Sequence, residues 1–319
     1  MARPAVAVGA VIAVLAVGAG SYVAWHEGVG PLPDPEGCTA TAGGHTASLS
    51  IDQAGNASII AAVAERRGLP ARAISIAIAA AIQESKLQNL EGGDRDSIGI
   101  FQQRPSQGWG TPRQLNDPYY ATNAFYDALV TVDGYENMPI TEAAQAVQRS
   151  AYPDAYAEHE SDGRAVASAL SGYSPAAFTC VVHASDPAGE KMGPSGLTGR
   201  ADAVRRDVEK AFGTLPMGGF APGGVTTGHM AGSAHYDGRA IDIVFRPVSD
   251  ENQIRGWAVA QYLVANARRL DVEHVIFDGR IWTAGSKSED GWRRYVPPKD
   301  EPGDRSVLEH RDHVHVDVF

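Results

Sequence analysis

Two stretches far apart in the chain carry residues whose types and spacing could bind a metal. In Ser233-Ala234-His235-Tyr236-Asp237-Gly238-Arg239-Ala240-Ile241-Asp242, a histidine and an aspartate lie on either side of a glycine turn. Asp312-His313-Val314-His315 supplies further histidines near the C-terminus. Neutral imidazole nitrogens and a carboxylate drawn from distant segments are the donor set of a catalytic zinc with one position left open. Asp242 enters an apolar run, residues 241–245, and His313 and His315 alternate along a β-branched segment. Strands would therefore position the donors. Loop and edge-strand positions are the plain structural alternative for the same histidines.

A lone carboxylate draws attention earlier. Residues 71–85 read as a helix opened by Leu69-Pro70, and residues 74–82 are apolar nearly all round, as in a helix buried on most sides. That helix ends in Gln83-Glu84-Ser85. A carboxylate at such a place needs a partner or takes up a proton. A raised carboxyl pKa suits a general acid for glycoside cleavage.

The elements around these residues suggest two domains, for which 319 residues are enough. Helical spacing at residues 56–67, 121–132, 141–150 and 162–170, with few strand signals, predicts a mostly helical domain over 45–182. Residues 183–199, rich in Pro, Gly and Ser, read as a linker. From 200 to 319, helices at 201–212 and 253–269 alternate with strands at 241–245, 274–277, 281–282 and 313–319, with a Gly-rich passage at 217–232. This pattern predicts an α+β domain with a small, largely antiparallel sheet.

A net charge of -11 argues against a nucleic-acid partner or an anionic membrane surface. Residues 4–25 form a nearly unbroken apolar run behind Arg3, so 1–26 reads as a membrane anchor or secretion signal, with 27–44 as a spacer. The expected setting is extracytoplasmic, anchored to the cytoplasmic membrane or secreted. The only two cysteines, Cys38 and Cys180, read as a disulfide in such a chain.

Glu84-Ser85 followed by Ser97-x-Gly99-x-Phe101-Gln102 resembles the paired motifs of goose-type lysozymes and soluble lytic transglycosylases. The resemblance implies Glu84 as the catalytic acid, with Gln102 and Ser97 in a sugar-binding groove. Asp94 and Asp96 are the candidates for a second carboxylate, whose separation from the first would set the stereochemistry. Without one, a single-acid mechanism remains, in which the sugar's own hydroxyl closes an anhydro ring. The family's Ala-Tyr-Asn-Ala-Gly motif is missing. Residues 143–156 take its place, where Tyr152 or Tyr156 could meet the carboxyl or the sugar. Trp109, Tyr119 and Tyr120 read as loop aromatics able to stack on sugars or to pack in the core.

Ser-x-His-x-x-Gly-x-Ala-x-Asp with a closing His-x-His resembles the D-alanyl-D-alanine carboxypeptidase and peptidoglycan endopeptidase families of zinc peptidases, and 282–315 looks closer to a secreted, actinobacterial-type branch. The resemblance implies His235, Asp242 and His315 as zinc ligands. It implies Asp312 as general base, with His313 as the competing or assisting group. Residues two apart on a strand share a face, so Asp312 would point away from His315 unless the strand starts at His313. The arginine usual in these families upstream of the first histidine is absent, and Arg239, Arg205 or Arg206 are the substitutes. Both resemblances imply peptidoglycan as substrate, and the second implies zinc as cofactor. A wall-binding protein without glycan chemistry, or a chain with one active half, is the alternative.

Overall fold

The computed structural model describes residues 35–300 and 302–319. The apolar segment expected as an anchor or signal lies outside them, and no described helix is long and apolar enough to cross a membrane.

The chain enters through β1 (Gly37–Ala42) and β2 (His45–Leu49). Part of the expected spacer is thus a strand: β1 alternates buried and exposed positions and is paired on both edges, which a solvated spacer is not. Ser50 then caps α1 (Ile51–Arg66) by accepting from the Gln53 N–H, while the Gln53 side chain accepts from the Ser50 N–H. The helix α2 (Ala71–Ser85) is buried along nearly its whole length, as its composition predicts. After α3 (Pro112–Leu115) comes α4 (Pro118–Leu129), opened by an Asp117 cap and by Pro118 in the first turn. Those signals put Tyr119 and Tyr120 on a helix and not in a loop. The helical part closes with α5 (Ile140–Gln148), α6 (Glu160–Leu170) and β3 (Phe178–Val181). Gly163 lets α6 cross close to α2, since a Cβ there would lie 2.7 Å from the Ser75 carbonyl oxygen.

β1 is the middle strand of a β2-β1-β3 sheet, and its register sets Cys38 opposite Cys180. The two are joined in a disulfide, as expected.

The remainder folds as α7 (Gly199–Phe212), β4 (Met217–Gly218), β5 (Ala240–Val244), α8 (Asp250–Ala265), α9 (Ala267–Leu270), β6 (Val272–Phe277), β7 (Arg280–Thr283), β8 (Arg293–Arg294), α10 (Arg305–Leu308) and β9 (His313–Val318). The sheet order is β4-β5-β9-β6-β7-β8, every pair antiparallel. One face of the sheet is apolar, with Ile241, Ile243, Val314, Val316, Val275 and Phe277 buried, and α8 packs against β6 and β9. The other face carries His313, His315 and Asp317.

Residues 36–319 form one compact unit, and the expected two halves share a continuous apolar core. The helix α1 packs on α7 and α8. Fully buried Gln261 accepts from the Phe178 N–H at 2.7 Å and donates to the Ala169 carbonyl at 2.6 Å. Trp282 and Trp292 donate to the carbonyls of Cys180 and Phe178. Within the expected linker, Leu197 is buried and Thr198 caps α7.

Candidate metal centre and candidate acid site

Asp242 on β5 and His315 on β9 are direct cross-strand partners, so their side chains rise from the same face. His235 comes from a short 3-10 turn, Ala234–Asp237, capped by Ser233 and closed by Gly238 at φ +68°. The His235 Nε2, Asp242 Oδ1 and His315 Nδ1 atoms stand 3.1 Å from one another in all three pairs. A triangle of that size has a point about 2 Å from each corner, a usual bond length for nitrogen and oxygen ligands of a divalent transition ion.

The outward nitrogens have their own partners. His235 Nδ1 lies 2.8 Å from the Gly219 carbonyl, and His315 Nε2 lies 3.3 Å from Asp317 Oδ2. A carbonyl only accepts, so His235 Nδ1 carries the proton and Nε2 turns a lone pair inward. Asp317 in turn accepts from the backbone N–H and ring of His274. Facing donors of this kind suit a cation. A proton answers the same need: burial opposes charge on His315, but Asp242 and Asp317 raise its pKa to about 10. Burial also opposes charge on Asp242, and the two imidazoles outweigh it, keeping this carboxyl well below the usual range. A metal must displace that proton to bind. Glu273, His274 and Asp317 offer a second group of donors, with Asp317 already shared with His315.

Around the triad lies a cleft of about 910 Å³. His313 Nε2 is 3.8 Å from Asp242 Oδ1, while its Nδ1 is 2.7 Å from Asp312 Oδ1. The other Asp312 oxygen receives the Arg246 Nε–H at 2.5 Å. Burial works to raise the Asp312 pKa, and His313 and Arg246 together bring it below the ordinary value. Asp312 therefore stands behind His313, because the strand begins at His313 and Arg246 holds the carboxylate. Arg246 follows β5 and lines the cleft, downstream of where an arginine was expected. Of the expected substitutes, Arg205 is bound to Asp202 and Glu209, and Arg206 to Asp202. Arg239 lines the cleft but donates to the Val318 carbonyl and pairs with Glu273.

Two more histidines belong to this cluster and were not singled out by spacing. The ring of His229, from the Gly-rich passage, lies 3.8 Å from that of His235 between centroids. His310 lies 4.6 Å from His313, and burial brings its pKa down to about 3. His229 and His310 each precede a recognised histidine by a few residues, which was the available signal.

Glu84 sits in the last turn of α2. Tyr156 Oη donates to Glu84 Oε1 at 2.6 Å, and the Gln148 side chain makes a second hydrogen bond. Burial raises the Glu84 pKa, and the bonds from Tyr156 and Gln148 partly offset this. Gln148 also donates to the Phe101 carbonyl at 2.9 Å, tying α5 to the motif loop. Ser97 Oγ donates to Gln102 Oε1, and Gln102 Nε2 donates to the Gly99 carbonyl. Gly93 leaves room for this pair: a Cβ would fall 1.7 Å from Gln102 Oε1, so the glutamine side chain would have to move.

Of the two candidate tyrosines, Tyr156 reaches the carboxyl and is fully buried, whereas Tyr152 is 75% exposed. Asp96 is held by Arg104 and Ser106, well below the usual carboxylate range, and Asp94 is exposed beside Arg95. Neither hydrogen-bonds Glu84. Trp109 packs partly buried against the core, and Tyr119 meets the Tyr262 hydroxyl at 3.2 Å.

A family model described as VldE, C-terminal domain, matches residues 193–305. The match includes His229, His235, Asp242 and Arg246 and ends before His313 and His315. No curated protein matches the chain.

Proposed function

We propose that this chain is an extracytoplasmic peptidoglycan hydrolase with two activities, glycan cleavage at Glu84 and stem-peptide cleavage at a zinc bound by His235, Asp242 and His315. The observation that carries the reading is the triad of donor atoms 3.1 Å apart, with each histidine's other nitrogen held by an acceptor. Two imidazoles and one carboxylate are a usual protein set for catalytic zinc. The disulfide suits an oxidising compartment.

Bound zinc would supply a Lewis acid for the scissile carbonyl and lower the pKa of water. The chain's own residues handle the proton and the substrate. Asp312 fixes the tautomer of His313 with the proton on Nδ1, leaving Nε2 free as general base toward the triad. The role expected of Asp312 thus passes to His313, with Asp312 orienting it. Arg246, its side chain 58% exposed, presents guanidinium N–H groups to a substrate carboxylate or developing oxyanion.

At the other site, neutral Glu84 protonates the leaving glycosidic oxygen as the C–O bond breaks. With Asp96 engaged elsewhere, the sugar's own hydroxyl attacks the anomeric carbon, closes the anhydro ring and returns its proton to Glu84. The Tyr156 hydroxyl stabilises the carboxylate in the interval.

Digestion of purified peptidoglycan by Glu84→Gln, His235→Ala and the double variant, with products separated by mass, tests the assignment. Glu84→Gln should release peptides but no anhydro-sugar fragments, and His235→Ala the reverse. Unchanged products from either variant remove the corresponding activity.

A further inference from the structure

A zinc held by three protein donors would take a fourth ligand, and two further histidines stand near the triad. His313 is committed through Nδ1 to Asp312, with Nε2 3.8 Å from Asp242 Oδ1. His229 approaches from the Gly-rich passage, with one ring nitrogen within 4.8 Å of donor atoms of both His235 and Asp242. Its ring lies nearly flat on His235, with centroids 3.8 Å apart and planes 19° apart.

The placement of His229 is built. Tyr236 Oη accepts from the His229 N–H at 3.1 Å and donates to the His229 carbonyl at 2.5 Å. Tyr236 follows His235 directly, so one turn both supplies a ligand and clamps the backbone carrying the next histidine. The ring itself is treated differently. His235, His315 and His313 each have a second nitrogen fixed by Gly219, Asp317 or Asp312. Among the described residues no hydrogen bond fixes the His229 ring. Outer partners orient metal-bound histidines and strengthen them as ligands. A histidine held by its backbone and free at its ring is therefore the exchangeable member of the set. Gly228 and Gly232, at φ +91° and +77°, flank it in conformations that favour glycine and give the segment room to turn.

We propose that His229 is a fourth, displaceable ligand that closes the resting metal site and withdraws when substrate enters. A site with four protein ligands has no bound water to activate, as in structural zinc centres. Rotation of the His229 ring toward the triad completes that set, and its departure opens the corner beside His313. The inference rests on the metal centre proposed above and adds a latent state to it.

X-ray absorption of the zinc-loaded full chain counts the imidazoles around the ion, and chelator competition gives the zinc Kd. Three imidazoles are expected in the wild type, two in His229→Ala and three in His313→Ala. The His229→Ala Kd should rise at least about tenfold, a scale that loss of an outer partner alone already reaches. Two imidazoles in the wild type, with unchanged Kd in His229→Ala, overturn the latent state and leave the metal centre standing. A drop to two in His313→Ala, with three kept in His229→Ala, gives the corner to His313 and overturns it as well. A wild-type chain that binds no zinc overturns the metal centre itself.

Discussion

Burial and hydrogen bonding act in opposite senses on the Glu84 carboxyl. Burial raises its pKa, while Tyr156 and Gln148 favour the charged form. A group whose folded pKa is raised contributes its full stability below the unfolded pKa and loses it as pH rises through the folded value. Glu84→Gln should therefore raise the melting temperature at pH 7, with the gain shrinking as the pH falls through the raised folded value and gone below the ordinary glutamate value. A gain equal at all pH values would mean that Glu84 is not destabilised by its charge. Tyr156→Phe removes a bond that lowers the pKa, so the alkaline limb of glycan cleavage should move to higher pH, read from a pH–rate profile. At this scale the meeting of His235, Asp242 and His315 was legible, because the first two flank a glycine turn into an apolar strand and the third alternates along another strand. The arrangement of Asp312 behind His313 was less so. It depends on where β9 begins and on Arg246, 66 residues away in sequence, claiming one carboxylate oxygen. His229 was hidden in a passage whose glycines are its most visible feature.

Register places the triad more than any single side chain does. Pairing Asp242 with His315 across β5 and β9 sets two donors on one face, and a slip of one residue would turn either into the apolar layer. Apolar runs marked β5 and α2 correctly: α2 is buried nearly all round, and β5 sets Ile241 and Ile243 into the apolar layer while Asp242 faces the cleft. β1 was missed because its neighbours are Pro- and Gly-rich, and its partners, His45–Leu49 and Phe178–Val181, lie on either side of the helices. Tyr119 lies on α4 because Asp117 caps the helix and Pro118 opens its first turn, a start signal that the aromatic pattern does not carry. Gln261 is a buried polar tie in the seam between the helical part and the larger sheet. Replacing it with Leu leaves the Phe178 N–H and Ala169 carbonyl unpaired, costing roughly 2–4 kcal/mol from two desolvation penalties. Denaturant unfolding should show that loss as a lower midpoint with an unchanged slope.

On the scale of the whole molecule, residues 36–319 form one compact unit although the sequence motifs fall into two separate groups. Composition shifts mark where motifs change, but they do not report the shared core through which α1, α7 and α8 meet. Calorimetry should accordingly give a single transition for this unit rather than two. The Cys38–Cys180 bridge closes a loop of 142 residues, so its reduction should lower stability by about 2–5 kcal/mol and move that one transition as a whole. Two separate endotherms, with only one sensitive to reduction, would contradict the shared core. Zinc loading of the purified protein tests the central assignment most directly, by native mass spectrometry of the wild type beside His235→Ala and Asp242→Ala. The account predicts one zinc per wild-type chain after dialysis and none in either variant. A wild-type chain that stays metal-free, or variants that still carry one ion, would contradict it.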